Sequence, residues 1–191
     1  MSMESGIKIV TADVGFSTLV QPVVEKIDTT AENWQNGNYA HILLDFPLTW
    51  AIGRLTRMNS VERARTVVVT QASHAAYKDM LAAFHVSSVV DAHDANALIT
   101  GIYAAASAMK VYQWRSGLTY MELRVTRLLV QGYDTASAAE SLRVTQKTVN
   151  AHVSNILTKL GLDTRAQYVA TLIAHHEGLV PEPAPERAAE A

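Results

Sequence analysis

TQKTVNAHVSNILTKLGL, residues 145–162, decides how the rest of the chain is read. Thr145 carries the short hydroxyl side chain that caps a helix N-terminus, and Gly161 stops the run. Val149, Val153, Ile156, Leu157 and Leu160 recur at helical spacing and share one apolar stripe. Lys147, Asn150, Ala151, Ser154 and Thr158 fall on the opposite face, where short side chains allow close approach to another surface and a lysine adds charge. A face of that chemistry fits a DNA major groove. Taken alone, the pattern also describes an ordinary core helix with a solvated back.

The flanking residues separate the two readings. Upstream, Ala138, Ala139, Leu142 and Val144 make a short apolar helix, and Leu142-Arg143-Val144-Thr145 leaves only a tight turn before the next cap, which predicts a helix-turn-helix. Before it, Thr119 and Glu122 have the spacing of a capping box, opening a helix that carries Val125, Leu128 and Leu129 to a stop at Gly132.

Residues 117–178 resemble the DNA-binding domain of the LuxR/FixJ/NarL family. The matching positions are Leu118, Thr119, Glu122, Gly132, Ala139, Leu142, Thr145, Lys147, Thr148, Val149, His152, Asn155, Ile156, Lys159, Leu160, Gly161 and Arg165. The resemblance implies an all-α, four-helix domain whose third helix reads double-stranded DNA and whose fourth helps the protein form a homodimer. Candidate DNA contacts are Lys147, Asn150, Ala151 and Ser154, with Thr145, Thr148, His152, Thr158, Lys159, Arg143 and Arg165 around them. Several family members carry basic or larger residues where Asn150, Ala151 and Ser154 stand, so the target sequence is not transferable.

The composition fits that reading. The chain has 191 residues, an apolar fraction of 49% and a formal net charge of −2, which argues against general polyanion binding but leaves room for a local patch made by Arg143, Lys147, Lys159 and Arg165. The absence of cysteine excludes a disulfide scaffold, a thiolate nucleophile and a thiolate-held zinc. No apolar run reaches the roughly 18 residues of a membrane span and no leader pattern follows Met1, so a soluble, cytoplasmic protein without cofactor or metal is expected.

The first half reads differently. Ile7–Asp13, His41–Asp45, Thr66–Thr70 and Ser88–Asp91 are short apolar strands, each ending in an acid or a hydroxyl. Helical patterns separate them: Leu19–Ile27 with Pro22 in its first turn, Trp50–Met58, His74–Phe84 with Tyr77, Leu81 and Phe84 as apolar positions, and Asn96–Met109. Alternating strands and helices imply an α/β, doubly wound parallel sheet, with functional groups gathered at the carboxyl ends of the strands.

This half resembles a shortened receiver domain of two-component response regulators. The family's phosphoacceptor matches Asp45, its switch hydroxyl Thr70 and one of its paired metal-binding acids Asp13. The second acid of that pair is Val14, and Asp91 stands where the family has a lysine beside the phosphoryl group. Phosphoryl transfer needs a carboxylate-held divalent cation and positive charge on the transferred oxygens, so Asp91 puts the wrong sign there. The stretch between Asp13 and Asp45 is also shorter than in an ordinary receiver. A vestigial pocket of Asp45, Asp13, Thr70 and Asp91 is therefore expected, with Asp45 as a structural acid; phosphorylation at Asp45 is the alternative.

The organisation expected is thus a receiver-like domain over residues 1–109, a linker over 110–117, the DNA-binding domain over 118–178 and a disordered Pro-, Ala- and Glu-rich tail over 179–191. Ala95, Ala97, Ala104, Ala105, Ala106 and Ala108 suggest a close helix contact for constitutive dimerisation, or simply good helix formers. A small-molecule or protein effector acting on the receiver half is a second reading, and an interaction module that titrates another regulator is a third. An enzyme is disfavoured: there is no Gly-rich phosphate loop, nucleophile elbow or His-Glu-x-x-His helix, and neighbouring His175 and His176 do not share a helix face.

Overall fold

The structure, a computed structural model, describes residues 6–12, 14–28, 34 and 39–173. Its first half is a four-stranded, all-parallel sheet in the order β1 (Gly6–Val10), β2 (Tyr39–Leu44), β3 (Thr66–Thr70), β4 (Ser88–Asp91). Register pairs Val10 with Leu43, Leu44 with Val69 and Thr70 with Asp91, which brings the strand ends to one rim.

The strands are nearly continuous apolar runs because both faces are covered. Leu43, Val68 and Val89 face a cluster with α2 (Trp50–Arg57) and α4 (Ala75–Ala82). Ile42, Leu44, Val67, Val69 and Val90 face the opposite cluster, which holds Trp34, Val20 and α5 (Ala95–Ala106), with Val23 and Val24 of α1 (Gln21–Val24) against it. Val20, α1 and Trp34, between β1 and β2, thus lie over one face, whereas α2 and α4 lie on the other. That change of side puts Asp45, just past β2, in the crevice where doubly wound sheets place functional groups.

The sequence expectations hold for the four strands, though β1 stops at Val10, and Asp13 lies outside the described residues. The chain from Val14 to Leu19 is a 3-10 helix, and Pro22 sits in the first turn of the four-residue α1. Helix α3 (Ser60–Ala64) has no apolar periodicity to announce it. It rests on the Asn59 side chain, which accepts the Glu62 N–H, and on Glu62, which caps in return.

The alanines of α5 are a correction. Ala105 and Ala106 pack in the cluster against the chain's own sheet and Ala104 is buried too, so these three offer no outward helix face, whereas Ala95 and Ala108 are exposed and Ala97 is half-buried. Gly101 serves the same packing: a Cβ there would meet Val67 Cγ2 at 2.9 Å and Ser88 Cβ at 3.3 Å.

The second half contains α6 (Tyr120–Val130), α7 (Thr135–Leu142), α8 (Gln146–Leu160) and α9 (Arg165–Ile173). Their core, with Leu123, Val125, Leu129, Val149, Ile156, Tyr168 and Leu172, is continuous with the α2–α4 cluster of the first half. Helix α6 packs on α4, and the Arg127 guanidinium lies 4.9 Å from the centre of the Phe84 ring. Trp114, half-exposed, stacks on Tyr120 at 6.4 Å. The pair His175–His176 and the tail lie outside the described residues.

Candidate nucleic-acid interface

The exposed face of α8 is set by caps on α7 and α8. Helix α7 starts with the Asp134 carboxylate accepting the Ser137 N–H at 2.7 Å and ends at Arg143, whose backbone is left-handed with φ 57°. The Val144 N–H returns to the Ala139 carbonyl at 3.0 Å, closing the turn. Thr145 then caps α8, its hydroxyl accepting the Thr148 N–H at 3.1 Å, and Gly161 ends it at φ 66°. A left-handed residue at each helix end is what reverses the chain within so few residues.

Between these caps α8 packs against α6, α7 and α9 through Val149 and Ile156, which are fully buried, with Val153, Leu157 and Leu160 beside them. Lys147, Asn150, Ala151, Ser154 and Thr158 are all exposed. The structure therefore places these five residues together on one open face. Arg143 and Thr145 are exposed at the head of the helix, and Thr148 and His152 are half-buried at its margin.

Lys159 and Arg165 are placed otherwise. The Lys159 ammonium is 2.7 Å from Glu122 Oε2 and donates to the Gly117 carbonyl at 3.4 Å. Glu122 is only 3% exposed. Burial would raise its pKa, but Lys159 and the Thr119 cap outweigh that and hold the carboxyl below the usual range. Arg165 donates to the Tyr133 carbonyl and to Thr135 Oγ1, pinning the turn between α6 and α7. Both cations thus make contacts within the domain, Lys159 while staying 37% exposed and Arg165 half-buried, rather than standing as free charges. The spacing of charges along α8 could not reveal this, because their partners come from distant helices.

The rim of the sheet holds a different kind of site. Asp45 is fully buried. Its Oδ1 accepts the Ala51 N–H at 2.9 Å, and its Oδ2 accepts the Tyr77 hydroxyl at 2.7 Å and the Thr70 hydroxyl at 3.2 Å. Tyr77 Oη in turn accepts the Thr49 N–H at 2.7 Å. Burial pushes the Asp45 carboxyl up, partly offset by these hydrogen bonds. Thr49 has φ 76°, unusual for a β-branched residue, and its N–H is aimed into this network.

Of the expected pocket, then, Asp45 and Thr70 meet, whereas Asp91 turns away. Asp91 bonds Lys78 at 3.2 Å and the His93 N–H at 3.0 Å. Burial works against its ionisation, but His93 and Lys78 together lower its pKa. Tyr77 is the participant that the sequence reading took only as an apolar helix position. A cavity of about 400 Å³ opens near Asp91, between β4, α4, α5 and residues 111–115; it does not reach Asp45.

Comparison with known proteins agrees with this architecture. The family model for bacterial regulatory proteins, luxR family, matches residues 116–172. The spore germination protein GerE of Bacillus subtilis is 41% identical over 64 residues, which is 34% of this chain and 86% of GerE. The response regulator protein VraR of Staphylococcus aureus is 39% identical over 59 residues, covering 31% of this chain but 28% of VraR. Two RcsB dimers bound to two parallel DNAs form a solved structure similar to this fold, with TM-score 0.55 and 18% identity over 90% of this chain and 100% of that one. RcsB from Salmonella enterica serovar Typhimurium bound to promoter rprA gives TM-score 0.55 and 17% identity over 88% and 98%. These structures share the receiver-like sheet followed by helix-turn-helix architecture. No helix among the described residues is long and apolar enough to cross a membrane. The chain belongs to the luxR family of bacterial regulatory proteins.

Proposed function

We propose that the chain is a sequence-specific, double-stranded-DNA-binding transcriptional regulator of the response-regulator type that works as a homodimer and without phosphorylation. The observation that carries the DNA reading is the open face of α8, with Lys147, Asn150, Ala151, Ser154 and Thr158 exposed on a helix capped at both ends. Asn150 is suited to bidentate reading of adenine and Lys147 to a base edge or phosphate. RcsB, whose fold this chain shares, is bound to DNA as dimers in one solved structure, which supports two reading helices in successive major grooves about one turn apart.

Independence from phosphorylation is supported by the Asp45 network. A carboxylate with no exposed surface and three hydrogen-bond donors on its oxygens is not placed for in-line attack on a phosphodonor. The same chemistry makes a phosphotransfer enzyme a poor reading of the acids, and VraR, one of the relatives named above, is a response regulator. The receiver-like half then serves assembly. The test is selection of bound fragments from a random duplex library by the purified, untreated chain at near-physiological salt. Enrichment of a two-fold symmetric site supports the reading; recovery of no shared sequence contradicts it.

A further inference from the structure

We propose that Asp79 is a positioning residue for DNA binding, fastening the segment before α6 to α4 and so fixing how the reading helix is held relative to the sheet. The proposal rests on the DNA-binding reading above. Asp79 lies in the middle of α4 and is fully buried. Among the described residues its carboxylate takes donors from the connecting segment alone: Tyr112 Oη at 2.8 Å, the Arg115 N–H at 2.9 Å and the Ser116 N–H at 2.7 Å. Arg115 and Ser116 stand just before Thr119, the cap of α6.

A connecting segment of this kind is ordinarily exposed and mobile, and two domains joined by one are expected to move relative to each other. Here the segment is held by a buried acid instead. A buried carboxylate is tolerated only when its lone pairs are filled, so Asp79 needs these residues in this place as much as they need it. Two main-chain N–H groups and one side-chain hydroxyl fix both the path and the register of the segment on α4. Leu118, buried two residues after Ser116, and Arg127 on the Phe84 ring extend the same joint along α6. The face of α8 that carries Lys147 and Asn150 remains open in this arrangement.

The consequence for function is geometric. Two reading helices reach paired half-sites together only if each is carried at a set position on its own sheet domain. Loosening the joint lowers the effective concentration of the second helix at its half-site without changing any contact to the first. Tyr112 contributes less than Asp79, because its loss removes one donor and leaves both main-chain bonds in place.

The chain has no cysteine, so labels can be confined to two introduced ones, Arg57→Cys in the sheet half and Glu140→Cys on α7, both exposed. Nitroxide distance measurements on the full chain are expected to give one narrow distribution. Asp79→Asn is expected to broaden or shift it at unchanged helical circular dichroism, and Tyr112→Phe to do so less. Should Asp79→Asn fail to fold, Tyr112→Phe decides. A folded variant that keeps the parent distribution overturns the proposal. On DNA, Asp79→Asn is expected to lower affinity for a paired site roughly tenfold and to leave a single half-site within about twofold. Equal loss at both would make Asp79 merely structural and overturn the positioning role. If the parent itself shows no preference for paired sites, the dimer reading fails, while the label distances still decide the joint.

Discussion

Tyr77 Oη stands 2.7 Å from Asp45 Oδ2 and donates to it from the far side of the crevice, so a helix side chain seals the end of β2. The same oxygen accepts the Thr49 N–H, which joins α4 to the loop before α2. Tyr77→Phe leaves that N–H without its partner and removes one donor from a buried carboxylate. The expected loss is about 1–3 kcal/mol in urea-induced unfolding, without loss of DNA binding at temperatures where the variant is folded.

Asp45 also gives the chain a distinctive pH dependence. Burial raises its folded pKa above the ordinary 3.8, against the hydrogen bonds that lower it. The folded state therefore binds the proton more tightly than the unfolded one. The Asp45 contribution is most favourable below 3.8, declines as pH rises through the folded pKa, and is flat beyond. The difference in unfolding free energy between Asp45→Asn and the parent, followed from pH 3.8 upward, should change in the variant's favour and then level off. A difference independent of pH would contradict the assignment.

Glu122 behaves oppositely. Its folded pKa lies below the ordinary 4.5, so its contribution is present above that pH and is lost as pH falls through the folded value. Lys159→Met leaves a buried carboxylate without its cation. Lys159 is 37% exposed, so solvent screening reduces the cost, and about 1–3 kcal/mol is expected from thermal unfolding at pH 7. Its affinity for a single half-site, measured where the variant is folded, should stay within about twofold, since the ammonium is engaged away from the reading face.

Gly101→Ala tests the packing of α5 on the sheet. The added methyl would have to displace Val67 Cγ2 and Ser88 Cβ, and the expected cost is about 1–3 kcal/mol despite the better helix propensity of alanine. A gain in melting temperature would mean that α5 lies further from β3 and β4 than described.

On the reading face, Asn150→Ala should relax preference at one base pair by roughly 1–3 kcal/mol if the amide meets a base edge. Lys147→Ala, if the ammonium meets phosphate, should weaken all sequences alike and reduce the salt dependence by about one counterion. Competition binding with single-base variants of the selected site distinguishes the two. Unchanged affinity and preference in both variants would remove α8 from its role.

Much of this molecule was legible because its local signals agree with its tertiary structure. The Thr145 and Thr119 caps, the stop at Gly161 and the apolar runs of the strands each have a local physical cause, and each lies where its pattern predicts. What escaped were relationships between residues distant in sequence. Tyr77 was read as a helix position because the Asp45 it serves lies 32 residues earlier. Lys159 and Arg165 looked like free cations because Glu122 and Tyr133 are brought to them only by helix packing. Ala105 and Ala106 of α5 could have served an outer or an inner face, and only the position of the sheet assigns them inward. Asp79 carried no signal at all, since a single acid in a helix has no period and its donors are mostly main-chain groups.

The most direct measurement of the central claim is the affinity of the full chain for its selected duplex before and after incubation with acetyl phosphate and magnesium, at one fixed salt concentration. The sealed Asp45 predicts the same dissociation constant in both, no phosphorylated species by intact mass, and the same affinity for a folded Asp45→Asn variant. A phosphorylated species that binds the duplex roughly tenfold more tightly, abolished in Asp45→Asn, would contradict it.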